Sequence, residues 1–336
     1  MRKAMIHGAG DVRLEELAAL EATGKQAVVR VHACGICGTD VGYVARGGLA
    51  GPGPEPLAIG HEISGVVEAL GPDVLDHHVG DRVVVCPLGG TDGFIGSGAR
   101  QAGLADVIVV EDADAYLVPV PDDMDLATAA LAEPVAVAMN GVDRVGVRAG
   151  EKVVIFGGGM IGLAALAICQ DLGATDVVVL EPSATRRALA LDLGASAALD
   201  PLDPEVWRQL RAQHGRAAAP YHGSSASDVW IEASGADVCI EQFFQRSREG
   251  ARMVVIGLHI SDVPVSFLSL LMKQLTVFGA MNYPENFERA VELLARRDLS
   301  SVVTAHHSLD ELDQALDALA SSRDHVKILI HPEAHA

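Results

Sequence analysis

The segment Lys152-Val-Val-Ile-Phe-Gly157-Gly-Gly159-Met160-Ile161-Gly162-Leu-Ala-Ala-Leu-Ala-Ile168 sets a β-branched run, glycines spaced G-x-G-x-x-G and an apolar helical stretch in direct succession. That order reads as the first strand, turn and helix of a doubly wound parallel sheet that binds a dinucleotide. Gly157 makes the tight turn, Gly159 lets the backbone approach a pyrophosphate, and Gly162 permits close packing of helix on strand. The phosphates then rest on the helix N-terminus, at Met160 and Ile161. The next strand, Val177 to Leu180, is followed by Glu181, placed to accept hydrogen bonds from an adenosine ribose and to repel a 2′-phosphate, which favours NAD over NADP. Arg186 and Arg187 follow; an arginine there can accommodate a 2′-phosphate, but Arg186 is expected to stack near the adenosine.

A chain of 336 residues with 49% apolar residues, 35 glycines and only 4% aromatics fits two α/β domains better than an all-helical fold. Up to about Val120 it reads as short strands punctuated by glycine and proline: Gln26 to Ala33, Ile63 to Leu70, Arg82 to Cys86 and Asp106 to Val110. The glycine- and proline-rich stretch Gly47 to Pro56 is predicted to be a surface loop. From Glu151 strand and helix alternate, with further strands at Asp176 to Leu180, Asp228 to Glu232 and Arg252 to Gly257. Two helices, Glu285 to Arg296 and Leu309 to Ser321, and a strand, Val326 to Ile330, close the chain. The expected organisation is a catalytic domain over 1–142, a dinucleotide domain over 143–281, and a return to the first domain over 282–336.

A net charge of −20 argues against nucleic acid and anionic membranes as partners and suits a small neutral substrate. The apolar run Val153 to Cys169 is interrupted by glycines and followed by Gln170 and Asp171, so it is not read as a membrane span. The first ten residues do not resemble a secretion signal, and a cytoplasmic location is expected. Five scattered cysteines suggest free thiols and at most one metal site.

Candidate ligands for that site are Cys37 in Cys34-Gly-Ile-Cys37-Gly-Thr39-Asp40, His61 and Glu62 in Gly60-His-Glu, and Glu133 in Ala-Glu-Pro134. One thiolate, one imidazole and one or two carboxylates supply the three protein ligands of a catalytic zinc that keeps a position open. With one thiolate and one carboxylate the zinc centre is formally neutral, which favours burial. Cys34 and Cys37 are not set before a helix in a thioredoxin-like unit, which argues against a redox pair. The pairs His77-His78 and His306-His307 are taken as solvated; His259, just after the strand ending at Gly257, reads as a loop residue, with an approach to the nicotinamide as the alternative.

This ordered set, together with Glu181-Pro-Ser-Ala-Thr-Arg186 and the closing Val326-Lys-Ile-Leu-Ile, resembles the medium-chain dehydrogenase/reductase superfamily over nearly the whole chain. It lies nearest the zinc-containing sorbitol, butanediol and threonine dehydrogenases. The resemblance implies a GroES-like β-rich catalytic domain plus a Rossmann domain, with Cys37, His61 and a carboxylate on catalytic zinc and Glu62 and Glu133 sharing direct and water-bridged roles. Glu133 stands where alcohol dehydrogenases carry a second cysteine, and so points to the polyol side.

Two departures stand out. The lobe with four cysteines that binds structural zinc is missing, so one zinc per chain is expected. The position of the usual proton-relay histidine is Gly42, which leaves the relay to Thr39, cofactor ribose and water. Tyr43 matches a substrate-pocket tyrosine. The implied reaction moves a hydride from a secondary alcohol, diol or polyol to NAD in a cleft between the domains, zinc polarising the alcohol. Pairing through the apolar stretch Val263 to Met281 implies a homodimer or homotetramer. The rivals are a zinc-free NADPH-dependent reductase, against which the ligand set argues, and a non-catalytic dinucleotide binder, which only Gly42 supports.

Overall fold

The computed structural model describes residues 1–98 and 100–332. The chain forms two compact units, Met1–Glu133 with Phe287–Ala336, and Pro134–Asn286.

In the second unit six strands, all parallel, lie in the order Ala197–Leu199, Asp176–Leu180, Lys152–Phe156, Val229–Glu232, Arg252–Val255, Thr276–Gly279. The inner strands are mostly Val, Ile, Leu and Phe, with Trp230 in the third, and nearly every position is buried, as in a parallel sheet covered on both faces. Helix Met160–Asp171 is apolar nearly all round and has nine buried residues, as a helix does when it is enclosed rather than amphipathic. Trp230, Phe243 and Phe156 fill the core on one side, their rings tilted or edge-on. The strand order reverses between Lys152–Phe156 and Val229–Glu232, and the carboxyl ends of these two strands define the switch point at which such sheets bind ligands. The outer strands Ala197–Leu199 and Thr276–Gly279 and the helices Val206–His214 and Asp237–Arg246 add to the elements read from sequence.

In the first unit a seven-stranded sheet is organised around Ala27–Gly35, which pairs antiparallel with Glu62–Leu70, Val107–Val110 and Lys327–His331. The register sets Gly35 opposite both Glu62 and Leu329. It therefore gathers the end of the Cys34 strand, the start of the Glu62 strand and the C-terminal strand at one place. Residues 47–56 contain neither helix nor strand, as their glycines and prolines require.

One expectation is corrected here. Cys37 does precede a helix: it is the N-cap of Gly38–Arg46, and its backbone N–H donates to Asp40 Oδ2 at 2.9 Å. The preceding strand nevertheless belongs to an antiparallel sheet, and Cys34 is buried in the core, with burial pushing its thiol well above the usual range. The surroundings remain unlike those of a redox pair. A second correction concerns His77, which is buried beside Asp81 at 3.7 Å, whereas His78 is exposed.

Candidate active site

Three elements carry the cluster. Cys37 sits at the turn from strand to helix, Glu62 opens the neighbouring strand, and His61 immediately precedes it. Donor atoms of Cys37, His61 and Glu62 lie within 4.8 Å of one another, and among the described residues this is the only such group. His61 and Glu62 are buried, yet His61 Nδ1 and Glu62 Oε2 have no hydrogen-bond partner. Buried polar atoms are seldom left so, because each costs about 1–3 kcal/mol. Burial opposes a charge on His61, but Asp40 and Cys37 outweigh it and draw its proton affinity well above the ordinary value. A site so short of positive charge suits a divalent cation, and the S/N/O donor set suits zinc.

The surroundings orient these groups. Asp40 is fully buried, accepts from the backbone N–H of Cys37 and Gly60, and lies 3.7 Å from His61 Nδ1. Glu62 is held on its other oxygen by Lys327 Nζ, which donates to Oε1 at 2.6 Å and to the Ile36 carbonyl at 3.0 Å. Lys327 is buried; desolvation works against its charge, but Glu62 and Cys37 outweigh it and raise its affinity for the proton. A side chain at Gly35 would meet Glu62 Oε2 at 1.9 Å, so only glycine leaves room for this carboxylate. Neither Lys327 nor Gly35 was singled out in the sequence; Gly35 lies inside the Cys-x-x-Cys run, but Lys327 carries no local signal. Glu133 is buried outside the three-residue cluster, near enough to act electrostatically on His61, Cys86 and Lys327. Thr39 and Tyr43 lie on helix Gly38–Arg46, Tyr43 with its hydroxyl 3.0 Å from Ser97 Oγ.

In the second unit Gly157 has φ +100°, and a Cβ on Gly162 would lie 1.9 Å from the Gly157 carbonyl oxygen, whereas Gly159 faces open space save for Arg186. The helix starting at Met160 has Gly159 as its N-cap and no side-chain cap, so its first N–H groups are available to an anion. Glu181 accepts from the N–H of Gly158 at 2.7 Å and of Ser183 at 2.8 Å. Arg187 donates to the carbonyls of Glu181 and Pro182 and lies 3.5 Å from Asp200.

The buried Glu232 at the carboxyl end of its strand accepts from the backbone N–H of Ser234 and Gly235, and His259 bridges it to Asp237 at 3.1 and 2.8 Å. Burial disfavours the imidazolium of His259, but the hydrogen bonds it donates to Asp237 and Glu232 prevail and raise its pKa. A raised folded-state pKa contributes stability that is complete below the unfolded value near 6.5 and is lost as pH climbs through the folded one. His259→Asn is therefore expected to cost about 2 kcal/mol at pH 6 and clearly less at pH 9, read from urea unfolding at the two pH values; an equal loss at both would remove the charged bridge.

This fold and site define a zinc- and dinucleotide-dependent dehydrogenase. Residues 160–296 match the zinc-binding dehydrogenase family and residues 23–122 the alcohol dehydrogenase GroES-like domain. The chain is 30% identical over 319 residues to 2-dehydro-3-deoxy-L-galactonate 5-dehydrogenase of Pseudoalteromonas atlantica, covering 89% of each chain. It superposes on 2R,3R-butanediol dehydrogenase from Bacillus subtilis with a TM-score of 0.85, 28% identity and 99% of both chains covered. A protein from Sinorhizobium meliloti described as a zinc-binding dehydrogenase, solved with NADP bound, matches with the same TM-score and identity, 98% of this chain and 99% of that one being covered. The chain belongs to the zinc-dependent medium-chain dehydrogenase/reductase superfamily, in the sorbitol and butanediol dehydrogenase branch. It is an alcohol or polyol oxidoreductase acting on CH–OH groups, and neither the zinc-free reductase nor the non-catalytic binder is favoured. Among the described residues no helix is long and apolar enough to cross a membrane.

Proposed function

We propose that the enzyme oxidises a secondary hydroxyl of a diol or polyol to a ketone, reversibly, with one zinc ion per chain and NAD as hydride acceptor. The observation that carries this is the cluster of half-buried Cys37 with buried His61 and Glu62, the last two each with an unpartnered atom. These three would hold the metal directly, and Glu133, buried nearby, would act on it from outside that set. Bound zinc supplies a Lewis acid that acidifies the substrate hydroxyl. Asp40 orients His61, Lys327 holds one oxygen of Glu62, and Thr39, two residues from Cys37, would take the substrate's hydroxyl proton outward. Tyr43, fixed by Ser97, shapes the substrate pocket.

On the cofactor side Gly157, Gly159, Met160, Ile161 and Gly162 hold the pyrophosphate, Glu181 the adenosine ribose, and Arg186 flanks the adenosine. NAD is favoured because Glu181 is buried and fixed by two N–H groups beside the glycine loop, where a 2′-phosphate would meet its charge. Arg187 already serves carbonyls and Asp200. None of the five cysteines is in a disulfide, which suits a cytoplasmic setting.

The test couples metal content per chain to a screen of NAD⁺ and NADP⁺ reduction over secondary alcohols, diols, polyols and threonine. About one zinc per chain and higher kcat/KM with NAD⁺ are expected; no metal and no alcohol-dependent reduction would end the proposal.

We propose further that the chain assembles through the edge of the parallel sheet. Strand Thr276–Gly279 ends the sheet, and Phe267, Leu268, Leu271 and Met281 around it are each at least 70% exposed, an apolar patch of a kind that marks an interface. Light scattering should report two or four chains, and a monomer would rule this out.

A further inference from the structure

Gly42 lacks a role in the reaction as described, and the structure shows what occupies its surroundings. A Cβ at Gly42 would meet Arg46 Nη1 at 3.1 Å and Nη2 at 3.4 Å, so the guanidinium lies over the glycine. It also sits 5.7 Å from the centre of the Tyr43 ring, and its Nε donates to the Leu49 carbonyl at 3.3 Å. Among the described residues no carboxylate pairs with it, although the chain carries 45 acidic residues against 25 basic ones. A permanent cation left without a counter-ion in so acidic a protein is positioned for one supplied from outside.

Its location indicates which one. Tyr43 is hydrogen-bonded to Ser97, and Phe94, three residues earlier on the same loop, lies edge-on to His61 with centroids 6.3 Å apart. One loop thus links a metal ligand to the aromatic ring beneath Arg46. The helix gives the same answer: Arg46 reaches back toward the N-terminus, as helical side chains do, and Gly42 lies five residues, about 7 Å of helix rise, from Cys37. A substrate whose reacting hydroxyl is at the metal ligands could extend a group farther along its carbon chain toward the guanidinium.

We propose that Arg46 is the specificity-determining residue of the substrate pocket and takes the terminal oxyanion, carboxylate or phosphate, of an acidic polyol. Gly42 is the residue that makes room for it. The small neutral substrate expected from the net charge is thereby replaced by one carrying its own negative group, admitted by a local cation. This rests on the polyol dehydrogenase reading above.

The experiment compares a neutral polyol, the aldonate and the terminal phosphate of the same carbon skeleton, in zinc-loaded wild type, Arg46→Gln and Arg46→Lys. The wild type should favour an anionic substrate in kcat/KM by about ten- to a hundred-fold, the usual effect of a charge-assisted pair. Arg46→Gln should lose that ratio mainly through KM, Arg46→Lys should keep part of it, and the ratio should shrink with added salt. Preference for aldonate or for phosphate identifies which oxyanion is meant. A wild type that prefers the neutral polyol, an equal fall on all three substrates, or a rise confined to the KM of the dinucleotide would each overturn the assignment. Binding of the anions is followed in parallel by the thermal midpoint of the zinc-loaded enzyme with NADH. If no substrate turns over, an anion-induced rise seen in wild type and lost in Arg46→Gln keeps the oxyanion site and rejects the polyol reading; no such rise rejects both.

Discussion

Cys37→Ser is expected to abolish zinc retention and to lower kcat by about a thousand-fold or more while the protein stays folded. Serine is chosen because position 37 caps helix Gly38–Arg46, and serine is among the best N-cap residues. The backbone bond from residue 37 to Asp40 does not involve the thiol and survives the change. What is lost is a soft anionic ligand: a neutral hydroxyl leaves Glu62 as the one anionic direct ligand, beside the neutral imidazole of His61. Lewis-acid activation is worth several kcal/mol, and each 1.4 kcal/mol is a factor of ten in rate. Metal analysis after dialysis, circular dichroism and alcohol-dependent NADH formation are measured on the same sample. Retained zinc with retained activity would show that Cys37 is not a ligand, while loss of fold along with activity would leave the metal role to be read from His61→Gln in the same way.

The parts of this protein legible in its sequence are those whose physics is local. Strand Lys152–Phe156 and helix Met160–Asp171 follow from a β-branched run, a glycine turn and an apolar stretch, and the parallel sheet follows from repeating that unit. Cys37, His61 and Glu62 were identifiable as metal-binding types, but their convergence depends on the register that sets Gly35 opposite Glu62. Helix Gly38–Arg46 was hidden because Gly38, Thr39, Val41, Gly42 and Val44 are poor helix formers; it is held by packing of Val41, Tyr43 and Val44 against the core of the first unit. The edge strand Thr276–Gly279 has little burial to mark it. The ion pairs of His259 were not readable, since its carboxylate partners come from a separate strand and helix.

Lys327 is the clearest case of a residue that only the fold could assign, because it meets Glu62 across 265 positions of chain. Lys327→Met is expected to destabilise the zinc-free protein more than the zinc-loaded one, and so to tighten zinc binding by about tenfold. Two effects oppose each other. Partners that orient metal ligands typically improve metal affinity by about 10- to 100-fold, or roughly 1.4–2.8 kcal/mol, and that contribution is lost. Removing one member of a buried ion pair, however, costs about 3–5 kcal/mol because the other charge is left unpaired. In the zinc-free variant the full penalty falls on Glu62, which is 1% exposed; in the loaded variant the metal supplies the missing positive charge and leaves mainly the loss of orientation. The larger effect thus acts on the zinc-free state, and the thermodynamic cycle returns it as affinity. Thermal midpoints with and without zinc, together with competition against a chelator of known affinity, measure both sides of the cycle. Weaker zinc binding in Lys327→Met would mean that the ammonium serves chiefly to aim Glu62 at the metal, and that orientation outweighs charge in this site.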